Sequence, residues 1–397
     1  MSTSFNPPDL SRYHRTALIV GVAFLVILIV WGVFNHQGFH QAYLLGFTFW
    51  AGIALGSLAL LMLQHLTGGG WGFVIRRTLE ASTRTLPLIA VLFVPILLGA
   101  HALYPWTHQE EIDKHPVIQA KIAYLDLQFF SIRAVVYFAV WLTLAFLLNR
   151  WSLQQDRTAD QQSSKQMRVL SGPGMVLFIF TVTFASVDWY MSLEPEFTST
   201  IYGFIYVASW SVSALAFVIA VVATLSKQEP LKGIVAPLHF HDLGKLLLAL
   251  VMLWAYFAFS QYLIIWSGNL PEEIGWYLHR TRGTWGVIAL TIITLHFAAP
   301  FLFLLSRSLK RDPQKLVIVA LLILVMRYVD SMWMLVPAFN AEHDHFGLLD
   351  VVMSIVSALA LGGLWLAMFI WQLNKRSLIP INDPQYESVL EQAHAGH

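Results

Sequence analysis

The sequence predicts an all-α integral membrane protein of ten transmembrane helices, and three observations carry that prediction. Of 397 residues, 57% are hydrophobic and only 12% are charged, where soluble globular domains have about 45–50% and about 25%. Mean hydropathy is +0.63. A water-exposed surface needs roughly twice this share of Asp, Glu, Lys and Arg, which excludes a soluble enzyme, a nucleic-acid binder and a disordered chain. The third observation is spacing: apolar runs recur along the chain, each near the ~20 residues a helix needs to cross ~30 Å of hydrocarbon. The runs are continuous rather than alternating, which selects helices over barrel strands.

In chain order, a polar N-terminus (1–15) leads into Thr16–Phe34. That run reads as a retained membrane helix, because Phe34-Asn35-His36-Gln37 offers no small-residue cleavage site. Ala42–Leu66 follows, with Gly52 and Gly56 at a small-xxx-small spacing that predicts close helix packing. Next come Thr85–Tyr104 and Tyr124–Leu148, then Gln154–Gln166, which reads as a flexible loop. Pro173–Leu193 and Ile201–Leu225 precede His239-Phe240-His241-Asp242. That cluster is a metal candidate by composition, but Asp242 fits a helix N-cap better, with Lys245 just inside. Leu246–Ser267, Thr284–Leu305, Leu316–Phe339 and Gly347–Trp371 complete the spans. The polar tail, 373–397, reads as poorly ordered or docked on a partner.

Basic residues set the expected orientation. One face holds Arg12, Arg15, Arg76, Arg77, Arg84, Arg150, Arg157, Lys165, Arg168, Lys227, Lys232, Lys245, Arg307, Lys310, Arg311, Lys315, Lys375 and Arg376, which is 18 of the 24 Lys and Arg. The other face holds Lys114, Lys121, Arg280 and Arg282, with nine acids: Glu110, Glu111, Asp113, Glu194, Glu196, Glu272, Glu273, Glu342 and Asp344. This asymmetry predicts both termini in the cytoplasm. The two sides are called the basic face and the acidic face below.

Six charged side chains fall within spans: Asp126, Arg133, Asp188, Arg327, Asp330 and Asp350. A charge near the bilayer centre costs at least ~2.5–3.5 kcal/mol, so each needs a partner or water. Asp126 and Asp350 lie near the acidic-face ends of their helices and read as rim residues. Arg133, Asp188, Arg327 and Asp330 are deeper, and His296 is central. Arg327–Asp330 and Arg133–Asp188 could be ion pairs that fix packing. With Asp126 and His296 they could equally form a proton path. Haem b needs two axial imidazoles at one depth. The span histidines His65, His101 and His296 lie at three different depths, which disfavours it. Tyr256, Ser260, Gln261 and Tyr262 place polar groups in an aromatic span, either as a quinone headgroup pocket or as interhelical hydrogen bonding. The chain has no cysteine, which excludes thiolate-ligated clusters, Cys-ligated zinc and covalent c-type haem within it.

The run His239-Phe240-His241-Asp242-Leu243-Gly244-Lys245 resembles the NrfD-type membrane subunits of bacterial alternative complex III. So do Trp254 to Trp266 with Asn269-Leu270-Pro271-Glu272-Glu273, Gly68 to Ala81, Asp188 to Pro195, Ser199 to Gly203 and Arg327-Tyr328-Val329-Asp330. The likeness extends from the second span to the ninth. The chain's length and its Gly68-Gly69-Gly70-Trp71 loop favour the second, ActF-type, of the two such subunits. The resemblance implies two four-helix bundles, spans 2–5 and 6–9, flanked by two peripheral helices. It also implies a quinol:cytochrome c or other electron-acceptor oxidoreductase in the bacterial inner membrane. The implied partners are a companion quinol-binding subunit, an iron–sulfur subunit, multihaem and monohaem cytochromes c and a terminal oxidase. Haem c and iron–sulfur clusters then belong to those partners, and this chain supplies scaffold and a proton path. One departure stands out: the family's Ser-Leu-Glu-Pro commonly continues His-Trp, whereas here it continues Glu196-Phe197.

A second function class is a stand-alone transporter with Arg133 and Arg327 at its substrate site. Interrupted helices would favour it, and internal prolines occur at Pro87, Pro95 and Pro300 without a matched pair.

Overall fold

The computed structural model describes residues 9–158, 161–339, 347–380 and 382–395. Its helices are α1 (Ser11–Phe34), α2 (His36–Thr67), α3 (Gly70–Thr83), α4 (Leu86–Leu98), α5 (Leu127–Thr158), α6 (Gln161–Trp189) and α7 (Tyr202–Leu225). They continue with α8 (Pro237–Gly268), α9 (Pro271–Thr281), α10 (Gly283–Thr291), α11 (Ala299–Leu305), α12 (Pro313–Leu335), α13 (Leu348–Asn374) and α14 (Tyr386–Ala395). A π-helical turn, Ile292–Ala298, joins α10 to α11 as one span. Among the described residues, nine helical segments are long and apolar enough to cross a membrane. The bent pair α3–α4 makes ten if it counts as one span. No strand occurs among the described residues. The protein is an all-α polytopic membrane protein.

Two rings of four helices form the body. In the first, α2 packs on α4, α4 on α5, α5 on α6, and α6 back on α2. In the second, α7 packs on α8, α8 on α11, the π turn on α12, and α12 back on α7. α2 lies against α7 and joins the rings, so its face is buried from Tyr43 to Leu61 with scarcely a break. α1 and α13 pair with each other at the periphery. Small residues permit both junctions. A Cβ on Gly56 would lie 2.0 Å from the Trp210 carbonyl oxygen, and one on Gly21 would lie 2.6 Å from the Leu364 nitrogen.

Several sequence expectations need correction. The third span is not a simple Thr85–Tyr104 helix. α4 stops at Leu98, a separate turn covers Ala100–Leu103, and α3 precedes it with a 41° bend between them. Gln154–Gln166 is helical up to Thr158 and again from Gln161, while 159 and 160 lie outside the described residues. The apolar runs ended earlier than the helices because backbone hydrogen bonding continues past the hydrocarbon. There, buried Ser152, Gln155 and Ser163 keep the extensions packed. Asp242 is not an N-cap. α8 starts at Pro237 after Ala236, His239 Nδ1 accepts the Ala236 backbone N–H at 3.0 Å, and Asp242 pairs with Lys245 at 3.1 Å. Pro at the first helical position moves the start five residues upstream of the aspartate.

The tail docks on its own chain. Leu378, Ile379 and Val389 are buried, Asp383 pairs with Arg76, and Phe73 packs on Tyr386 with ring centroids 6.2 Å apart. Residues 381, 396 and 397 of that tail lie outside the described residues, as do 1–8 of the N-terminus and the acids Glu342 and Asp344.

Candidate functional site

Arg133 stands six residues into α5, ~9 Å from its first residue at 1.5 Å per residue, and Asp188 is the penultimate residue of α6. The packing of α5 on α6 brings them together. Arg133 Nε donates to Asp188 Oδ2 at 2.8 Å and Nη2 donates to Oδ1 at 2.9 Å. Tyr137, one turn further along α5, donates its hydroxyl to Oδ2 at 2.7 Å. The third guanidinium nitrogen donates to the Tyr124 carbonyl at 2.9 Å, and the group lies 3.9 Å over the Tyr124 ring. Asp188 is 0% exposed, so its charge depends entirely on these donors. Asp126 does not join them. It is exposed, and its Oδ1 accepts the Phe129 N–H at 2.9 Å, which caps α5.

Arg327 and Asp330 sit one turn apart on α12, and Arg327 Nη1 donates to Asp330 Oδ2. Both are buried. His296, 0% exposed, lies in the π turn with its ring edge-on to Trp254 at 4.3 Å. Arg327 lies 5.9 Å from the same indole. Among the described residues, His296 Nδ1 and Nε2, Arg327 Nε and Trp254 Nε1 have no hydrogen-bond partner. Buried polar atoms are nearly always satisfied, and π turns concentrate at functional sites. This cluster therefore has the chemistry to hold water or a polar ligand deep in the bundle.

The four residues of the α8 stretch diverge. Gln261 points inward, accepting from Ser199 Oγ at 2.7 Å and donating to Tyr277 Oη at 3.3 Å. Tyr256 is 64% exposed and Tyr262 is 40% exposed, on the outer surface of the second ring, and Ser260 is half-buried. Helical geometry explains the split: 256 and 260 share a stripe, whereas 261 is rotated ~100° from 260. The four do not share one face of α8.

Two charge clusters escaped the sequence reading. Arg280, counted there as an ordinary acidic-face charge, is fully buried and paired with Glu194. It also donates to the carbonyls of Trp276 at 3.0 Å and Met334 at 2.9 Å, and stacks 3.8 Å over the Trp276 ring. The second cluster involves two of the basic-face arginines. Arg76 Nε meets Glu80 Oε1 at 3.0 Å and Arg77 Nη1 meets Oε2 at 2.7 Å, with Ser152 and Gln155 also bonded to Arg76. Arg76 and Glu80 share a helix face at i,i+4, which was a usable signal. The partners on α5 and in the tail were not visible from it. Just after Pro195, Phe197 is buried and stacks on Trp276 at 5.0 Å, while Glu196 pairs with His115 at 2.9 Å. Nearby, burial pushes the Lys121 ammonium down from its usual range, with Glu196 acting in the opposite sense.

Among the described residues, no group of three or more His, Asp or Glu is placed to hold a metal ion. No protein-family model matches this chain, and no curated protein matches it either.

Proposed function

We propose that the chain is an NrfD-type, ActF-like membrane subunit of a quinol-oxidising electron-transfer complex of the bacterial inner membrane, both termini cytoplasmic. In this reading it provides scaffold and a proton path, and a quinol:cytochrome c reaction takes place with partner subunits. Those partners are a companion quinol-binding subunit, an iron–sulfur subunit, cytochromes c and a terminal oxidase. The observation that supports it is the pair of buried clusters, Arg133–Asp188–Tyr137 and His296–Arg327–Asp330, inside an apolar bundle. Quinol oxidation releases two protons with its two electrons. Carboxylates and an imidazole held in a low-dielectric interior are the groups that take up and pass on protons there. The chain has no cysteine, so cluster-based redox chemistry belongs to the partners.

Purification from native membranes in a mild detergent tests the reading. Haem-containing partners and quinol-dependent reduction of a cytochrome are expected to travel with the chain, and a chain that runs alone without haem sinks it.

A second reading, a stand-alone transporter, is favoured by one observation: the span made by α3 and α4 is interrupted by a 41° bend. Solute uptake by the isolated chain in liposomes would support it over the first.

A further inference from the structure

Where α8 begins at the basic face, the short helix Arg307–Arg311 packs against it. Gly244 makes the contact possible: a Cβ there would stand 2.6 Å from Lys310 Cγ, so the lysine stem lies flat across α8. Lys310 is only 7% exposed, and no carboxylate pairs with it among the described residues. Lys245 and Arg311, both exposed, bring the same sign close to His241 and Lys310. His241 is 8% exposed, and its Nδ1 is buried with no hydrogen-bond partner among the described residues. Asp242 also faces the group but is bonded to Lys245 at 3.1 Å.

Like charges gathered at one place on the surface repel one another, and an anion between them relieves the repulsion with charge-assisted hydrogen bonds. The cluster sits where α8 and α11 pass from apolar to basic sequence, the level of phospholipid phosphates. We propose that Lys310, Lys245, Arg311 and His241 form a binding site for a phosphate anion carried by the headgroup of an anionic phospholipid. This is independent of the proton-path reading. Excess basic charge on one membrane face is ordinary, as at exposed Lys227 and Lys232. A lysine whose stem is packed over Gly244, beside an imidazole with a buried unpartnered nitrogen, is not explained by topology alone.

The test uses the full chain, delipidated in detergent, with phosphatidylglycerol, phosphatidylcholine or inorganic phosphate added separately. Native mass spectrometry and thermal denaturation are the readouts. Phosphatidylglycerol is expected to bind at one site and raise the melting temperature, whereas phosphatidylcholine does neither. Lys310→Met with Arg311→Gln should weaken phosphatidylglycerol binding at least tenfold. Lys227→Ala with Lys232→Ala removes the same charge from the same face and should change it less than twofold. Lys310→Arg should retain binding, which keeps the test decisive if the first variant folds poorly. Equal loss in both double variants, or no preference over phosphatidylcholine, overturns the proposal. Stabilisation by inorganic phosphate equal to that by phosphatidylglycerol overturns the lipid source and assigns the cluster to free phosphate.

Discussion

Arg133 grips Asp188 with two nitrogens, Nε at 2.8 Å from Oδ2 and Nη2 at 2.9 Å from Oδ1, across two helices whose sequences are 55 residues apart at that point. This fork geometry fits a carboxylate as a lysine could not. It fastens α5 to α6 at a depth where an unpaired charge is expensive.

Breaking this contact from one side should therefore be worse than removing it. Arg133→Leu leaves a carboxylate buried and uncompensated, and should cost ~3–5 kcal/mol. The double variant Arg133→Leu with Asp188→Leu should recover most of that loss in thermal denaturation. Asp188→Asn separates structure from function. If the pair serves protons, turnover or the protons released per quinol should fall while the melting temperature drops less than in Arg133→Leu. Full turnover with normal proton release in Asp188→Asn would reduce the pair to a structural fastening.

The mid-bundle cluster allows a sharper comparison. His296→Leu removes two unpartnered polar atoms from the interior and should leave stability unchanged or raised, while lowering quinol-linked proton release if a water or quinone is held there. Arg327→Leu orphans Asp330 and should lower both. A His296→Leu variant that loses stability and keeps its activity would point to packing alone. Melting curves and proton-release assays on the same preparations distinguish the cases.

Glycine substitutions should follow space rather than position. Gly56→Ala drives a methyl into the Trp210 carbonyl, which is backbone and cannot move aside without separating α2 from α7. A cost above ~2 kcal/mol is expected from such overpacking. Gly172→Ala meets no atom within 4 Å and should stabilise α6 by up to ~1 kcal/mol. Thermal denaturation of the two variants in one detergent checks the contrast.

The docked tail predicts a long-range effect. Asp383→Asn removes the carboxylate paired with Arg76, and truncation after Asn374 also removes Arg376, which lies 3.7 Å from Glu80. Truncation should lower the melting temperature and expose the Gln155 region to protease, with the point variant showing a smaller effect in the same direction. An unchanged protease pattern in the truncated chain would contradict a docked tail.

Charge placement makes a topological prediction. Single cysteines introduced at Gln228 and Ser377 should be labelled from the cytoplasmic side only. One at Gln109 should be labelled from the opposite side. The absence of native cysteine makes the experiment clean.

The apolar runs, the charge asymmetry and the identity of the deep ionisable residues were all legible from sequence. Hydrocarbon thickness constrains any chain that crosses it, and charge is conspicuous where it is costly. The small-xxx-small spacing at Gly52 and Gly56 foretold close packing for the same local reason. Arg280 was unreadable, because nothing in Tyr277-Leu278-His279-Arg280 says that Glu194 and the Met334 carbonyl will enclose it. Around Arg76 and Arg77 only the i,i+4 spacing to Glu80 was readable, because the network became buried when α5 and the C-terminal tail closed over it. Sequence by itself determined which segments leave water and which side chains cannot do so alone. Tertiary structure decided who partners whom, because partnership between helices depends on register and rotation about each axis. Those are set by packing along the whole length of the bundle rather than by any one segment.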